Sequence, residues 1–184
     1  GFGRTGTMFA CEKAKIAPDL MCLSKGLTGG FLPMGATLAS GEIYDAFYSQ
    51  DRAKTFFHST SFTGNAIACA AAVANLEIWQ REPVMDRIAA IAAQHGERLA
   101  RLRGRYNVAE ARQTGTIAAI EIAAPDAGYF AALGPKLNAF YLGRDILLRS
   151  LGNVVYAMPP YCIGSGDLDR IYDVIEESLA VIGA

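Results

Sequence analysis

Lys25 stands where a reactive amine would be useful. It is one of five lysines, with Lys13, Lys15, Lys54 and Lys136. It alone follows an apolar run straight into a glycine-rich turn, Leu23-Ser24-Lys25-Gly26-Leu27-Thr28-Gly29-Gly30. In α/β sheets, ligands bind at the carboxyl ends of strands. A free lysine has a pKa of about 10.4 and is a poor nucleophile at neutral pH. Partial desolvation or a neighbouring cation lowers that value and lets the amine attack a carbonyl to form an imine. Gly26, Gly29 and Gly30 would let a flat cofactor approach the backbone closely. A surface lysine at a strand end fits the same residues equally well.

Two further groups could bind anions. Ser59, Thr60 and Ser61 crowd hydroxyls just ahead of an alanine-rich helical stretch. A helix N-terminus offers unpaired N–H groups, so the trio reads as a phosphate cradle or as an ordinary capping cluster. Arg149 ends the apolar run Ile146-Leu147-Leu148. An arginine beside buried strand residues needs a partner, and a carboxylate suits its planar fork. That carboxylate could belong to a ligand or to an internal Asp or Glu.

Elements must position these groups. Leu20 to Leu23 reads as a buried strand and Met34 to Ala39 as the next. Gly41 to Tyr48 reads as a helix. Ala66 to Gln80 is almost free of charge and predicts a helix buried on most sides. Pro83 suits the start of another helix, whose stripe is Val84, Ile88, Ile91, His95, Leu99 and Leu102. His95 on that stripe reads as a packed residue. Arg98, Arg101, Arg103 and Arg105 read as a solvated edge. Strands are expected over Thr116 to Ile122, Ile146 to Arg149 and Val154 to Met158. Helices are expected over Pro135 to Leu142 and Asp167 to Ile182. The expected division is 1–82, holding the lysine loop and the alanine-rich helix, and 83–184, a small α+β domain.

Composition excludes several classes. The net charge is −1, so no basic footprint argues for nucleic acid. Cys11, Cys22, Cys69 and Cys162 are widely spaced and only two histidines exist, which disfavours zinc and a disulfide framework. Buried thiols in a reducing cytoplasm are the expectation. No apolar run reaches membrane-spanning length. The first six residues match G-x-G-x-x-G, but no strand precedes them within the sequence, so a glycine-rich turn with an exposed Arg4 is the better reading. That loop-like opening, without an initiator methionine, reads as part of a longer chain.

Taken together the motifs resemble the class III (fold-type I) aminotransferases. Gly1-Phe2-Gly3-Arg4-Thr5-Gly6 with Phe9-Ala10-Cys11-Glu12 is similar to the segment before the family's cofactor lysine, and 22–30 to the lysine motif itself. Gly64-Asn65 leading into Ala68 to Ala72 is similar to the helix after the phosphate loop. The resemblance implies an α/β fold: the C-terminal part of a fold-type I large domain, then a small α+β domain. It implies pyridoxal 5'-phosphate held by Lys25 as a Schiff base, with Lys25 then moving a proton. It implies substrate carboxylate at Arg149, substrate at Ser59, and cofactor phosphate at Thr60 and Ser61, reached across a homodimer interface. Ser59 and Thr60 stand where the family carries Gly and Pro. The aspartate that pairs with the pyridine nitrogen would lie upstream of Gly1. The Met158-Pro159-Pro160-Tyr161 segment is most similar to members that work in biotin synthesis. It implies S-adenosylmethionine as amino donor and 8-amino-7-oxononanoate as acceptor. Another ω-aminotransferase with a different donor, or a catalytically incomplete portion, are the alternatives.

Overall fold

The computed structural model describes residues 1–105 and 107–182, except the side chain of Ile182. The chain divides into two compact units, Gly1–Phe2 with Met8–Val84, and Gly3–Thr7 with Met85–Ala184.

The first unit is built around a short antiparallel pair. Strands β1 (Leu20–Leu23) and β2 (Ala36–Ala39) run from Leu20 opposite Ala39 to Leu23 opposite Ala36. Between them Lys25–Thr28 forms a turn of 3-10 helix. Helix α1 (Ala10–Ala14) precedes β1, and α2 (Gly41–Phe47) follows β2. The Ser40 hydroxyl starts α2 by accepting from the Ile43 amide. Helix α3 (Ala66–Arg81) starts at Asn65, whose side-chain oxygen accepts from the amides of Ile67 and Ala68.

The sequence expectation for α3 fails in one respect. Only Ala68 and Ala72 are buried, while Ile67 is 73% and Val73 57% exposed. The helix packs on the lysine turn, yet Ile67, Val73, Leu76 and Ile78 are all exposed. Phe31, Phe57 and Phe62 are exposed as well. Large apolar side chains are thus exposed on several elements of this unit.

The second unit has a well-filled core. Strands β3 (Val108–Thr114), β4 (Ile117–Ile122), β5 (Arg149–Leu151) and β6 (Val154–Ala157) form an antiparallel sheet of order β3-β4-β6-β5. Burial alternates strictly along β4, so one sheet face is interior. Helices α4 (Val84–Leu102), α5 (Leu133–Leu142) and α6 (Ser165–Ile182) share that core. Leu99 and Leu102 of α4, Leu137 and Tyr141 of α5, and Leu168, Tyr172, Ile175 and Leu179 of α6 are almost fully enclosed. Each such side chain contributes about 1.5–3 kcal/mol of hydrophobic stabilisation.

Five further readings change. Strand β1 was expected to be buried, but Leu20 and Cys22 are exposed and Met21 and Leu23 only half-buried. Strand β3 was not expected, because three of its four exposed positions, Glu110, Arg112 and Thr114, are polar or charged, as suits an edge strand. The strand expected over 146–149 begins only at Arg149. Arg98 is buried, not solvated, and pairs with Asp169, Asp173 and Glu176 of α6. The four cysteines are free but none is buried.

His95 is fully enclosed. Its Nε2 lies 3.2 Å from the Thr116 carbonyl and its Nδ1 2.6 Å from the Tyr172 hydroxyl. A carbonyl only accepts, so Nε2 carries the proton and Nδ1 accepts from Tyr172, which is the neutral tautomer. Burial lowers the His95 pKa, against a smaller opposing effect of the Thr116 carbonyl. The unfolded chain therefore takes up this proton first as pH falls. His95 supports the fold above its unfolded pKa of about 6.5, and that support is lost on acidification. Urea midpoints measured by circular dichroism should fall as pH drops from 7.5 to 5. His95→Gln should start lower by about 1–3 kcal/mol and show a flatter pH dependence across that window.

Candidate active site

The lysine turn is tightly determined. The Leu27 amide donates to the Ser24 carbonyl at 3.0 Å and the Gly30 amide to the Lys25 carbonyl at 2.7 Å. The Thr28 hydroxyl, on a buried residue, donates to the Leu32 carbonyl at 2.6 Å. Lys25 itself has φ of +31°, a conformation that a side chain with a Cβ adopts at a cost of about 1–3 kcal/mol. At Gly26 no larger residue fits: an added Cβ would come within 2.1 Å of the Phe2 ring. From α3, the Asn75 side-chain amide donates to the carbonyls of Gly26 at 2.8 Å and Leu27 at 3.1 Å.

Lys25 is exposed and lines an open cavity of about 1260 Å³ inside the first unit. One wall is the lysine turn with Leu32 and Met34; the other is Thr60 and the start of α3, including Ile67 and Ala68. The walls are mainly apolar, with an amine and a few hydroxyls as polar handles, the usual make-up of a small-molecule site. Among the described residues its lining holds no carboxylate.

Of the hydroxyl trio, only Thr60 reaches this cavity; Ser59 and Ser61 are exposed outside its lining. They do not cap α3 either, since Asn65 does. The segment closes on itself: the Thr60 amide donates to the Thr63 hydroxyl at 3.0 Å, and the Thr63 amide to the Thr60 carbonyl at 3.0 Å. The two helix amides that Asn65 engages are already satisfied, so a phosphate would depend on hydroxyls and loop amides instead.

Arg149 belongs to the second unit. It opens β5 opposite Tyr156 of β6, and the neighbouring Ser150 amide donates to the Asn138 side chain of α5 at 2.9 Å. Ser150 and Val155 are buried, so alternation turns Arg149 and Tyr156 to the opposite face. Among the described residues no carboxylate lies within ion-pair distance of Arg149. The internal salt bridge is thus ruled out among those residues.

Arg4 is half-buried, not exposed. Its guanidinium donates to the Pro159 carbonyl at 2.5 Å and lies 4.5 Å from the centre of the Tyr161 ring. Its own carbonyl accepts from the Thr116 amide at 3.0 Å. At Gly115, with φ of +56°, a Cβ would strike the backbone of Arg4 to Gly6. Burial raises the Tyr161 pKa, and the Arg4 charge opposes the rise. Neither Arg4's contacts nor Asn75 was anticipated. An asparagine inside an alanine-rich helix was the available signal for the latter, because Asn is a weak helix former.

A lysine on a constrained turn, opening on an apolar cavity, has the chemistry to bind a carbonyl compound covalently. A family model described as aminotransferase class-III matches residues 1–179. The chain belongs to the class-III aminotransferases, a family dependent on pyridoxal 5'-phosphate. A Synechococcus elongatus protein named adenosylmethionine-8-amino-7-oxononanoate aminotransferase is 43% identical over 179 residues, which is 97% of this chain and 42% of that protein. A Helicobacter pylori protein of the same name is 40% identical, over 89% of this chain and 38% of its own length. The crystal structure of the Methanocaldococcus jannaschii enzyme of that name superposes with a TM-score of 0.88 at 34% identity, covering 98% of this chain and 43% of that one. An (S)-enantioselective omega-transaminase from Thermomicrobium roseum gives 0.87 at 32% identity, over 99% of this chain and 41% of its own. The chain thus spans less than half the length of these relatives.

Arg4→Ala should destabilise the second unit by about 1–3 kcal/mol, read by urea unfolding, and should raise the Tyr161 pKa in ultraviolet titration. Arg4→Lys should recover only part of the stability, because an ammonium is not a planar fork.

Proposed function

We propose that the full-length protein is a pyridoxal-phosphate-dependent aminotransferase that moves an amino group from S-adenosylmethionine to 8-amino-7-oxononanoate, giving 7,8-diaminononanoate for biotin synthesis. The chemistry rests on one observation, the Lys25 amine on its strained turn at the wall of an apolar cavity. The choice of substrates rests on the relatives' names and on the Met158–Tyr161 segment.

The residues present fit the aldehyde end of the cofactor, since a primary amine lines a cavity of sufficient size. When bound, the cofactor supplies an electron-withdrawing ring that acidifies the substrate carbon next to nitrogen. Lys25 would hold it covalently and would move a proton to and from that carbon. Thr60, with its hydroxyl 3.2 Å from that of Thr63, and Ser61 are the proposed phosphate contacts. Ser59 is the proposed substrate contact. Ser59 and Ser61 are exposed and outside the cavity of their own chain, which supports a homodimer in which they complete the partner's site. Arg149, exposed and free of any ion pair among the described residues, is the proposed carboxylate clamp.

A second reading follows from the lining. Among the described residues the lining holds no carboxylate that could pair with a pyridine nitrogen, which supports the alternative of a catalytically incomplete portion. The exposed apolar side chains of the first unit support tight association of such a chain.

Incubation with S-adenosylmethionine alone should release its oxo product in one equivalent per site, with ping-pong kinetics once acceptor is added. Turnover that requires both substrates together would overturn the reading. A half-reaction with another amine and none with S-adenosylmethionine would transfer it to an ω-aminotransferase. Lys25→Ala should abolish both the half-reaction and borohydride-trapped label at position 25. Arg149→Gln should raise the KM for the oxo acid roughly 10- to 100-fold with a smaller change in kcat.

A further inference from the structure

We propose that Asn75 is a positioning residue for Lys25, holding the cofactor lysine's turn in its strained conformation through two hydrogen bonds from α3; this rests on the reading of Lys25 given above. Strain of this kind persists only where the surroundings over-determine it. Backbone hydrogen bonds inside the turn hold its two ends, Ser24 to Leu27 and Lys25 to Gly30. Within the turn the Gly26 carbonyl receives only a long bond, from the Gly29 amide at 3.4 Å, and the Leu27 carbonyl is left to be fixed from outside. Asn75 meets both at 2.8 and 3.1 Å, from 49 and 48 residues away in sequence.

The contact has the features of an orienting device. An amide nitrogen has two protons, and two carbonyls take them, so the nitrogen is the end that must face the turn. The oxygen then faces Gly29, where a Cβ would come within 3.3 Å of it. Gly29, with φ of +63°, leaves that space open. The helix gains nothing from Asn at this position, because Ala is the better helix former. Without Asn75 the Leu27 carbonyl is released and the Gly26 carbonyl keeps only the long bond from Gly29, so the peptide planes after Lys25 can rotate and φ can relax from +31° toward ordinary values. The amine then leaves the cavity wall for part of the time.

The test uses the full-length protein. Pyridoxal 5'-phosphate is added, the adduct is trapped with borohydride, and the rate of label appearing on Lys25 is measured by peptide mapping. Its absorbance is also followed against pH. Asn75→Ala keeps the helix and removes both donors. Asn75→Asp keeps the shape and replaces donors with acceptors. Each should slow labelling of Lys25 about tenfold or more and shift the pH midpoint of the absorbance change. Asn75→Gln, which keeps both donors, should restore much of the rate. If one variant does not fold, the other carries the comparison, and the alanine variant favours the helix. Wild-type rate and midpoint in a folded alanine or aspartate variant would overturn the positioning role alone. No label on Lys25 in the wild type would overturn the cofactor reading and this inference with it.

Discussion

A lysine held at φ of +31° is the constraint on which the rest of the first unit depends. An amine on a flexible stem is useful to a cofactor only if its backbone does not wander. Antiparallel β1 and β2 fix the two ends of the loop, and Thr28 and Gly30 close it internally. Asn75 of α3 secures it from outside, while the Phe2 ring packs where Gly26 has no side chain. None of these contacts is worth more than about 1–2 kcal/mol by itself. Together they exceed the cost of the strained residue. The unit spends much of its ordering on one turn and buries few side chains of its own.

The second unit follows the opposite logic. Its sheet and three helices enclose a continuous apolar core. Several polar groups inside are paired, His95 with Tyr172 and Thr116, Tyr141 with Ser178, and Asn153 with the Ile122 carbonyl, while the Ser150 hydroxyl and the Arg98 Nε have no partner among the described residues. Arg98 lies at the border, facing three carboxylates spaced along one side of α6. Such a body can carry β5 and β6 as rigid strands, and with them Arg149 and Tyr156.

Much of this was legible in the sequence, for identifiable reasons. Helices α4 and α6 announce themselves by apolar spacing, and β4 by a weak alternation. Lys25 stood out as the one lysine that follows an apolar run into a glycine-rich turn, although a surface lysine fitted those residues equally well. Strand β3 was hidden because an edge strand with Glu110 and Arg112 outward looks like surface loop. Arg98 was misread as part of a charge cluster. Its place at helical spacing from Ile91, His95 and Leu102 was the better guide. The exposure of α3 could not be read from composition, because an apolar helix face says that it wants cover without saying where the cover is. The Asn75 and Arg4 contacts join residues far apart in the chain, and pattern within a window does not reach them.

The division of the chain is interlaced: Gly3–Thr7 belong to the second unit, although the residues on either side belong to the first. The Arg4 carbonyl serves the Thr116 amide at the β-hairpin turn. Modularity is correspondingly limited. A fragment beginning after Val84 would leave behind five residues of its own fold, with the Thr116 amide and the Tyr161 ring uncovered on their inner side. Recombination between relatives at that junction would have to keep the opening glycine-rich loop and the second unit from the same parent. The loop that resembles a nucleotide motif on paper is thus a piece of one unit carried in the sequence of the other.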